Sequence, residues 1–494
     1  MRWQGLLSFG LGASLTLMST GNLRAQTPTL PSTSPIPQGA IVTPTGATST
    51  PALAVQKTDP APMKPATMGA PGVESCGPTC GSSGCGFNFF DRSSCCGGLF
   101  GGIDCTDDCK SPLGPTPFPA VGILQDWIYG KDNKDACLKI GGWADFNYTY
   151  NSTGHGPSAN PSGGPGIAPV MNRFGNEFNV QQLGLLISKP LDKECWSWGF
   201  NIIALAGADA SFLTPTKGGW ANTNPRFGFD FTDLNLTAHL PILTEGGVDV
   251  KAGRQTTILG PMGALAWQRP FTSSDYAWYN MEEGRYTGVS AVWHVNKQLD
   301  WYNGFELGWG TFFAQKGIAP QYITNISYWL DEDAKKAKVW TTLLTGPTTD
   351  DSNKNTTVVE FGFQYNWNRY LWTIIDTQMV YSRGPVFGAP TPGYIERAYD
   401  VYTYNGIHLN KCWDFNTRAE YYYDADGNGY AGGFGIPKTS YVGLTAGLNF
   451  HPTKWMEFRP EIRYDYATNP AFGPALNNLH RNELTVAADL LIKF

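Results

Sequence analysis

Charged residues are scarce in this chain. Asp, Glu, Lys and Arg make up 15% of its 494 residues, whereas an average soluble domain carries about 25%. The net charge is −6, so nucleic acid is not expected as a partner. No segment after residue 25 offers the run of about 18 apolar residues that a transmembrane helix needs. A bundle of membrane-spanning helices is therefore excluded.

Motifs of catalytic sites are also missing, and residues 427–432, which match G-x-G-x-x-G, are interpreted as a turn because residues 434–437 cannot begin a helix. The six histidines are scattered between His155 and His480 without an H-E-x-x-H pair, and no G-x-S-x-G occurs. Residues 424–429 begin like an EF-hand loop, but Gly435 occupies the twelfth position, where calcium needs a bidentate Glu. The sequence therefore predicts no metal, no cofactor and no enzyme activity.

Glycine and aromatic residues are abundant instead. The chain has 58 Gly, and 14% of its residues are Phe, Trp or Tyr. So many aromatic residues exclude disorder along the whole length. Because no long apolar helix is available, the composition favours a β protein that is rich in glycine and aromatic side chains.

The first 138 residues are interpreted as four segments before the folded region. Residues 1–25 have the pattern of a signal peptide, with Arg2 before a short apolar stretch that ends at Met18; an uncleaved N-terminal anchor is the alternative. Residues 26–75 are rich in Pro, Thr and Ala and are expected to form an extended linker. Residues 76–110 are rich in Cys, and residues 111–138 are expected to form a short periplasmic connector with a helical turn at 124–129.

The Cys-rich segment has an irregular spacing that contains no C-x-x-C pair. In an exported protein such a cluster first indicates disulfides, and a metal site or intermolecular cross-links are the alternatives. The number of cysteines is odd, so at least one thiol needs a partner elsewhere. The disulfide candidates are Cys76, Cys80, Cys85, Cys95, Cys96, Cys105 and Cys109.

From residue 139 to the end, polar and apolar residues alternate with a period of two. This is the pattern of a strand with lipid on one face and water on the other. The alternating segments run for roughly 10–14 residues, the length of a tilted membrane-crossing strand; strands of a soluble β-sandwich, the alternative fold, have about 5–6. In residues 456–466 the charges expected to face the lumen are Glu457, Arg459, Glu461 and Arg463.

Short turns and long loops alternate along residues 139–494. Their succession predicts sixteen antiparallel strands, or fourteen if residues 322–330 and 338–345 are not strands. An even number brings both ends of the barrel to the short-turn side, which is periplasmic in bacterial outer-membrane barrels. Tryptophans in or beside short turns are expected in the periplasmic aromatic girdle: Trp196, Trp301, Trp367, Trp413 and Trp455.

Four segments carry a resemblance to a known family. They are residues 142–151 in the first strand, 176–178 and 189–190 around the second, and 284–289 entering the sixth. On these residues the chain resembles the OmpL-like β-barrel porins, the second β-barrel porin family. The resemblance covers about residues 118–494 and implies an all-β, closed transmembrane barrel in a Gram-negative-type outer membrane. The terminal Phe494 resembles the signal by which such barrels are recognised for insertion.

The resemblance also implies a function, the passive passage of small hydrophilic solutes or ions through a barrel surrounded by outer-membrane lipid. A homotrimer is common among sixteen-stranded porins, and the Cys-rich segment offers disulfide cross-links between subunits. Lumen charges of both signs predict weak ion selectivity. The rival hypothesis is a structural or adhesive surface protein that uses the barrel as an anchor, and the linker and the Cys-rich segment favour it.

Residues 257–284, the third long loop, are the predicted pore constriction. Their small residues and prolines permit tight packing without ladder hydrogen bonds, and the apolar stretch 264–267 requires burial, most simply against the lumen wall. Capping of its own hairpin outside the barrel is the alternative. The acidic candidates of the loop are expected to face Arg254 or Arg285. The full set of candidates is Arg254, Arg269, Asp275, Glu282, Glu283 and Arg285.

Overall fold

The computed structural model describes residues 123–130, 138–153, 171–172, 174–213, 217–220, 224, 226–282, 284–331, 336–347, 355–383, 395–426, 438–473 and 479–494. The predicted signal peptide, the linker and the Cys-rich segment with its seven cysteines lie outside the described residues. The helical turn predicted in the connector is present as helix α1, Ile123–Tyr129.

Sixteen strands dominate the described part of the chain. They are β1 (Lys139–Asn151), β2 (Glu177–Lys189), β3 (Ser197–Gly207), β4 (Gly228–Leu240), β5 (Val248–Thr256), β6 (Arg285–His294), β7 (Leu299–Trp309), β8 (Gln321–Trp329), β9 (Ala337–Pro347), β10 (Asn355–Asn366), β11 (Leu371–Arg383), β12 (Ile395–Asn410), β13 (Trp413–Asp424), β14 (Thr439–Thr453), β15 (Met456–Ala467) and β16 (Asn482–Lys493). Two further short helices are α2 (Ala208–Phe212) and α3 (Tyr276–Asn280), and a 3₁₀ turn spans Ala266–Gln268. Among the described residues no helix has the length and apolar character to cross a lipid bilayer.

Each strand pairs antiparallel with its neighbours in chain order, and β1 pairs with β16 to close the barrel. The closing register begins with Trp143 opposite Lys493. Phe494 extends it, because its N–H donates to the Gly142 carbonyl at 2.8 Å and its own carbonyl accepts from the Gly142 N–H at 2.6 Å. The predicted closed antiparallel barrel of sixteen strands is confirmed, and the two strands that the sequence assigned least clearly, β8 and β9, belong to it.

Strand β15 illustrates how the alternating pattern sorts the side chains. Phe458 and Ile462 are exposed on the outer surface, where lipid is expected to cover them. The charged residues of the same strand are on the other face and buried in the interior: Glu457, Arg459, Glu461 and Arg463. Three of the predicted girdle tryptophans are exposed near the short turns: Trp196, Trp301 and Trp367.

Three inward tryptophans lie directly opposite a glycine of the neighbouring strand. The pairs are Trp143 with Gly184, Trp340 with Gly362, and Trp372 with Gly406. A Cβ atom at Gly184 would lie 2.2 Å from the ring of Trp143, so the ring occupies the space that a side chain would need. Trp143 is fully buried, and its ring packs edge-on against Trp267 of the loop between β5 and β6. The glycine therefore shapes the wall that receives this loop.

The substitution Gly184→Ala is expected to destabilise the barrel by about 1–3 kcal/mol, the usual cost of overpacking a tight interior. The added methyl group would displace Trp143 from its contact with Trp267. Heating in detergent, followed by the electrophoretic shift between folded and unfolded forms, measures the effect as a lower unfolding temperature.

Gly304→Ala is the matched control, because a Cβ atom there would first meet a methyl group of Ile323, at 3.0 Å. We expect a smaller drop in the unfolding temperature for this variant. Equal midpoints for Gly184→Ala and the wild type would refute the packing argument.

Candidate functional site

The loop between β5 and β6, residues 257–284, is called the third loop below and folds into the barrel. Its stretch 264–267 is buried beside the inner side chains of β1 to β3, such as Trp143 and Leu205. Six of its other apolar residues share one buried cluster with inner side chains of β8 to β15: Leu259, Met262, Phe271, Tyr276, Ala277 and Met281. The loop therefore crosses the interior and does not cap its own hairpin.

Three arginines of the barrel wall hold the loop by its backbone carbonyls. Arg418 on β13 donates to the Ser273 carbonyl at 2.9 Å. On β15, Arg459 donates to the Ala266 carbonyl at 2.6 Å, and Arg463 donates to the Ser274 carbonyl at 2.6 Å. A guanidinium offers five N–H donors in a rigid fork, so each arginine serves the loop and a carboxylate of the wall together. Arg459, for example, also donates to Asp489 at 2.5 Å.

Wall carboxylates bind the complementary N–H groups of the loop. Glu461 accepts from the backbone N–H of Thr272 at 2.8 Å, and Glu420 accepts from that of Tyr276 at 2.8 Å. Glu360 on β10 accepts from the N–H of Gly260 at 3.1 Å. A loop outside the sheet has no ladder partners, and an unpaired buried backbone group is costly. The wall side chains replace the missing ladder and fix the loop in one position.

Asp275 and Glu282 are the two acidic constriction candidates that the structure describes; Glu283 lies outside the described residues. Asp275 caps α3 by accepting from the N–H of Trp278 at 2.7 Å, and it also accepts from the Tyr404 hydroxyl at 2.8 Å. Glu282 accepts from Gln378 on β11 at 2.6 Å. Neither carboxylate pairs with Arg254 or Arg285, the partners predicted from the sequence.

The basic candidates Arg254, Arg269 and Arg285 differ in their partners. Arg254 binds Asp230 at 3.1 Å, and Arg269 binds Asp209 at 3.4 Å. Arg285 is buried, and its guanidinium nitrogens make no hydrogen bond to any residue that the structure describes. The expectation that the loop acids face Arg254 or Arg285 was therefore wrong. The guanidinium of Arg254 is occupied by Asp230 and by the carbonyls of Phe231 and Thr311. The loop acids lie over β11 and β12 instead.

The contact between the third loop and β10 to β12 is acidic. Glu360, Gln378 and Asp400 lie opposite one another on the three strands, and Gln378 bonds Glu282 of the loop. Burial, reinforced by repulsion from neighbouring carboxylates including that of Glu360, raises the pKa of Glu282 well above its usual range. The raised pKa favours the protonated, neutral form of Glu282, which lies beside other acids at a lower electrostatic cost.

The sequence pattern did not single out most of the wall residues that hold the loop. Arg418 and Glu420 belong to the polar face of an alternating segment, as the pattern indicated, but nothing in that pattern connects them with residues 273 and 276. Tyr404 and Gln378 carried no signal at all. Among the described residues, no group of three or more His, Cys, Asp or Glu side chains is arranged to hold a metal ion.

Solved structures of bacterial outer-membrane proteins align with most of this chain at low sequence identity. The outer membrane channel DcaP of Acinetobacter baumannii is 12% identical, with 72% of this chain and 97% of that chain covered and a TM-score of 0.48. OprB of Pseudomonas putida is 11% identical, with 75% and 97% covered and a TM-score of 0.47. OmpF of Salmonella typhi is 12% identical, with 72% and 97% covered and a TM-score of 0.46.

No curated protein sequence matches the chain significantly. The sequence model of the family described as beta-barrel porin-2, OmpL-like, does match, over residues 137–494. That range contains all sixteen strands of the closed barrel. The chain therefore belongs to the OmpL-like beta-barrel porin-2 family.

Proposed function

We propose that this porin lets small hydrophilic solutes and ions diffuse passively across the outer membrane. The observation that carries the proposal is the closed sixteen-stranded barrel with polar and charged residues on its inner face. Barrels of this strand number enclose an aqueous channel. Partly exposed inner charges of both signs, such as Lys251 and Asp249, give the channel polar walls that water and hydrated solutes can contact.

The third loop is the proposed constriction of this channel. Its contacts with β1, β2 and β10 to β15 support the assignment, because a loop held on several sides reduces the open cross-section. The candidates Arg254, Arg269, Asp275, Glu282, Glu283 and Arg285 are proposed to set the electric field near the constriction. Of the β15 charges, Arg459, Glu461 and Arg463 then act mainly through the loop, since they bond its backbone. Glu457 instead accepts from Asn449 and Lys493 of the wall.

The orientation and assembly of the protein belong to the same proposal. We place the short-turn end, where β1 begins and β16 ends, in the periplasm together with residues 26–138. A homotrimer in outer-membrane lipid is the proposed assembly, with disulfide cross-links through the Cys-rich segment. Phe494 is proposed as the insertion signal, and its place at the closing seam supports a role in completing the barrel.

An anchor for a structural or adhesive surface protein is the competing function. It rests on the linker and the Cys-rich segment, which lie outside the described residues. The inward third loop does not favour it, because an anchor has no use for a shaped passage. The two functions differ in whether the isolated barrel conducts ions.

Purified protein in a planar lipid bilayer is expected to give discrete, ohmic conductance steps in potassium chloride. A barrel with a water-filled passage conducts as soon as it inserts. Preparations are checked for folding by the electrophoretic shift on heating. Folded, inserted protein without conductance would contradict the porin function and would favour the competing anchor function.

Deletion of residues 262–280 is expected to raise the single-channel conductance. The deletion removes the part of the third loop that crosses the interior, and the flanking residues are long enough to join β5 to β6. Single-channel recording measures the change. As a control, residues 428–436 are deleted from the loop between β13 and β14, which should leave the conductance near that of the wild type. A constriction elsewhere would be indicated by unchanged conductance in the correctly inserted 262–280 deletion.

Alkaline pH is expected to loosen the third loop through Glu282. Because its pKa in the folded loop is raised, Glu282 favours the attached loop fully below the ordinary carboxyl pKa, about 4.3. This contribution is lost as the pH rises through the raised pKa. Current fluctuations of the wild type should therefore increase with pH, in single-channel records taken from acidic to alkaline buffer.

Glu282→Gln removes the titration while keeping a side chain of the same size, and its current fluctuations should change little with pH. Glu245→Gln in the exposed turn between β4 and β5 is the matched control and should behave as the wild type does. If Glu282→Gln kept the full pH dependence, the loosening would have to come from another group.

A further inference from the structure

A cavity of about 360 Å³ lies in the barrel wall towards the short-turn end. None of the residues that line it belongs to the third loop, so it is separate from the proposed constriction. It is formed by β3 to β7 and by the turn that follows β2. This volume is at the small end of the range for ligand sites, which limits an occupant to a small molecule.

One row of paired residues lines the centre of this cavity. Thr237, Lys251 and Ser290 lie directly opposite one another on β4, β5 and β6. The row continues to Gly199 on β3 and Gly304 on β7. Ser290 is 4% exposed and its neighbour Val289 is 55% exposed, so the row faces the interior.

The Lys251 ammonium at the centre of the row has no partner. The described residues offer it neither a carboxylate within ion-pair distance nor a hydrogen-bond acceptor. A second ammonium, that of Lys193 in the turn after β2, lies 3.5 Å from Asp249 and is partly exposed. Lys189 also borders the cavity, but its Nζ lies 3.7 Å from the centroid of the Trp198 ring. The Lys251 ammonium therefore remains for a ligand, and the partly exposed Lys193 ammonium, which shares Asp249 with other groups, can add a second contact.

The acidic residue that lines the cavity, Asp249, is already bound by histidines. One of its oxygens lies 2.6 Å from Nδ1 of His239, and the other lies 3.1 Å from Nε2 of His294. His294 Nδ1 is in turn 2.7 Å from Asp300. Both ring nitrogens of His294 face carboxylates, which only the doubly protonated ring satisfies with two N–H donors. The cavity therefore carries an excess of positive charge.

We propose that this cavity is a subsite for a small hydroxylated carboxylate, such as a sugar acid, on its way through the porin. The carboxylate lies between the ammonium groups of Lys251 and Lys193. The hydroxyl groups of Thr237 and Ser290 and the amide of Asn201, which line the same cavity, bond the hydroxyls of the ligand. The proposal rests on the porin function and names a class of solute for it.

Isothermal titration of the purified, folded protein with gluconate tests the subsite without relying on conductance. Gluconate is expected to bind, with an affinity that falls as salt screens the ammonium groups. Glucose, which has the hydroxyls but no carboxylate, is expected to bind much more weakly. Absence of gluconate binding, or equal binding of glucose, would overturn the proposal.

Lys251→Gln is expected to weaken gluconate binding about tenfold, which corresponds to about 1.4 kcal/mol. Lys251→Arg keeps the charge and should retain most of the affinity. Lys338→Gln removes a lysine from β9, which does not border the cavity, and should bind gluconate as the wild type does. If Lys251→Gln bound as tightly as the wild type, Lys251 would not be part of a site.

The conductance experiment separates this proposal from the porin function. Discrete conductance steps without gluconate binding would support the porin function and refute the proposed subsite. Gluconate binding that depends on Lys251, in a protein that does not conduct, would keep the subsite and remove passive diffusion.

Discussion

Backbone pairing is the constraint on which this structure depends. Within hydrocarbon every N–H and C=O group needs a hydrogen-bond partner inside the protein, and a sheet meets this condition only by closing on itself. The pairing of β1 with β16, extended by Gly142 and Phe494, removes the last free edges. Closure then determines the two faces of each strand. The outer face must be apolar because it contacts lipid, and the inner face lines an interior that accommodates polar groups.

The third loop meets the same constraint in a different way. Inside the barrel it has no strand to pair with, so its carbonyls and N–H groups take side-chain partners from the wall. Arg459 and Glu461 serve as donor and acceptor to neighbouring parts of the loop. Charges that alternate along β15 like the lining of an open pore are thus largely engaged in holding the loop. Their burial is tolerable because they are paired and hydrogen-bonded.

The interior consequently has two electrostatic regions. Where the third loop meets β10 to β12, acids such as Glu282 and Glu360 lie close together and out of water, which raises the pKa of Glu282 and favours its neutral form. Towards the short-turn end, histidines bind Asp249 and leave Lys251 unpaired beside a cavity. The inner wall therefore buries acids where it packs against the third loop, and it presents the positive charge of Lys251 beside the open cavity. This division gives the proposed passage a preferred site for a small anion.

The barrel follows from the local pattern of the sequence. Period-two alternation over segments of membrane-crossing length fixed the strands, their inner face and their number, since each of these depends on residues that are close in the chain. It also indicated that residues 264–267 need burial. The partners of the third loop became visible only in the folded barrel: Asp275 lies beside Tyr404, not opposite Arg254, and Ser273 lies beside Arg418. Such contacts join residues far apart in the chain, and they depend on the curvature of the closed sheet and the path of the loop, which no local pattern encodes.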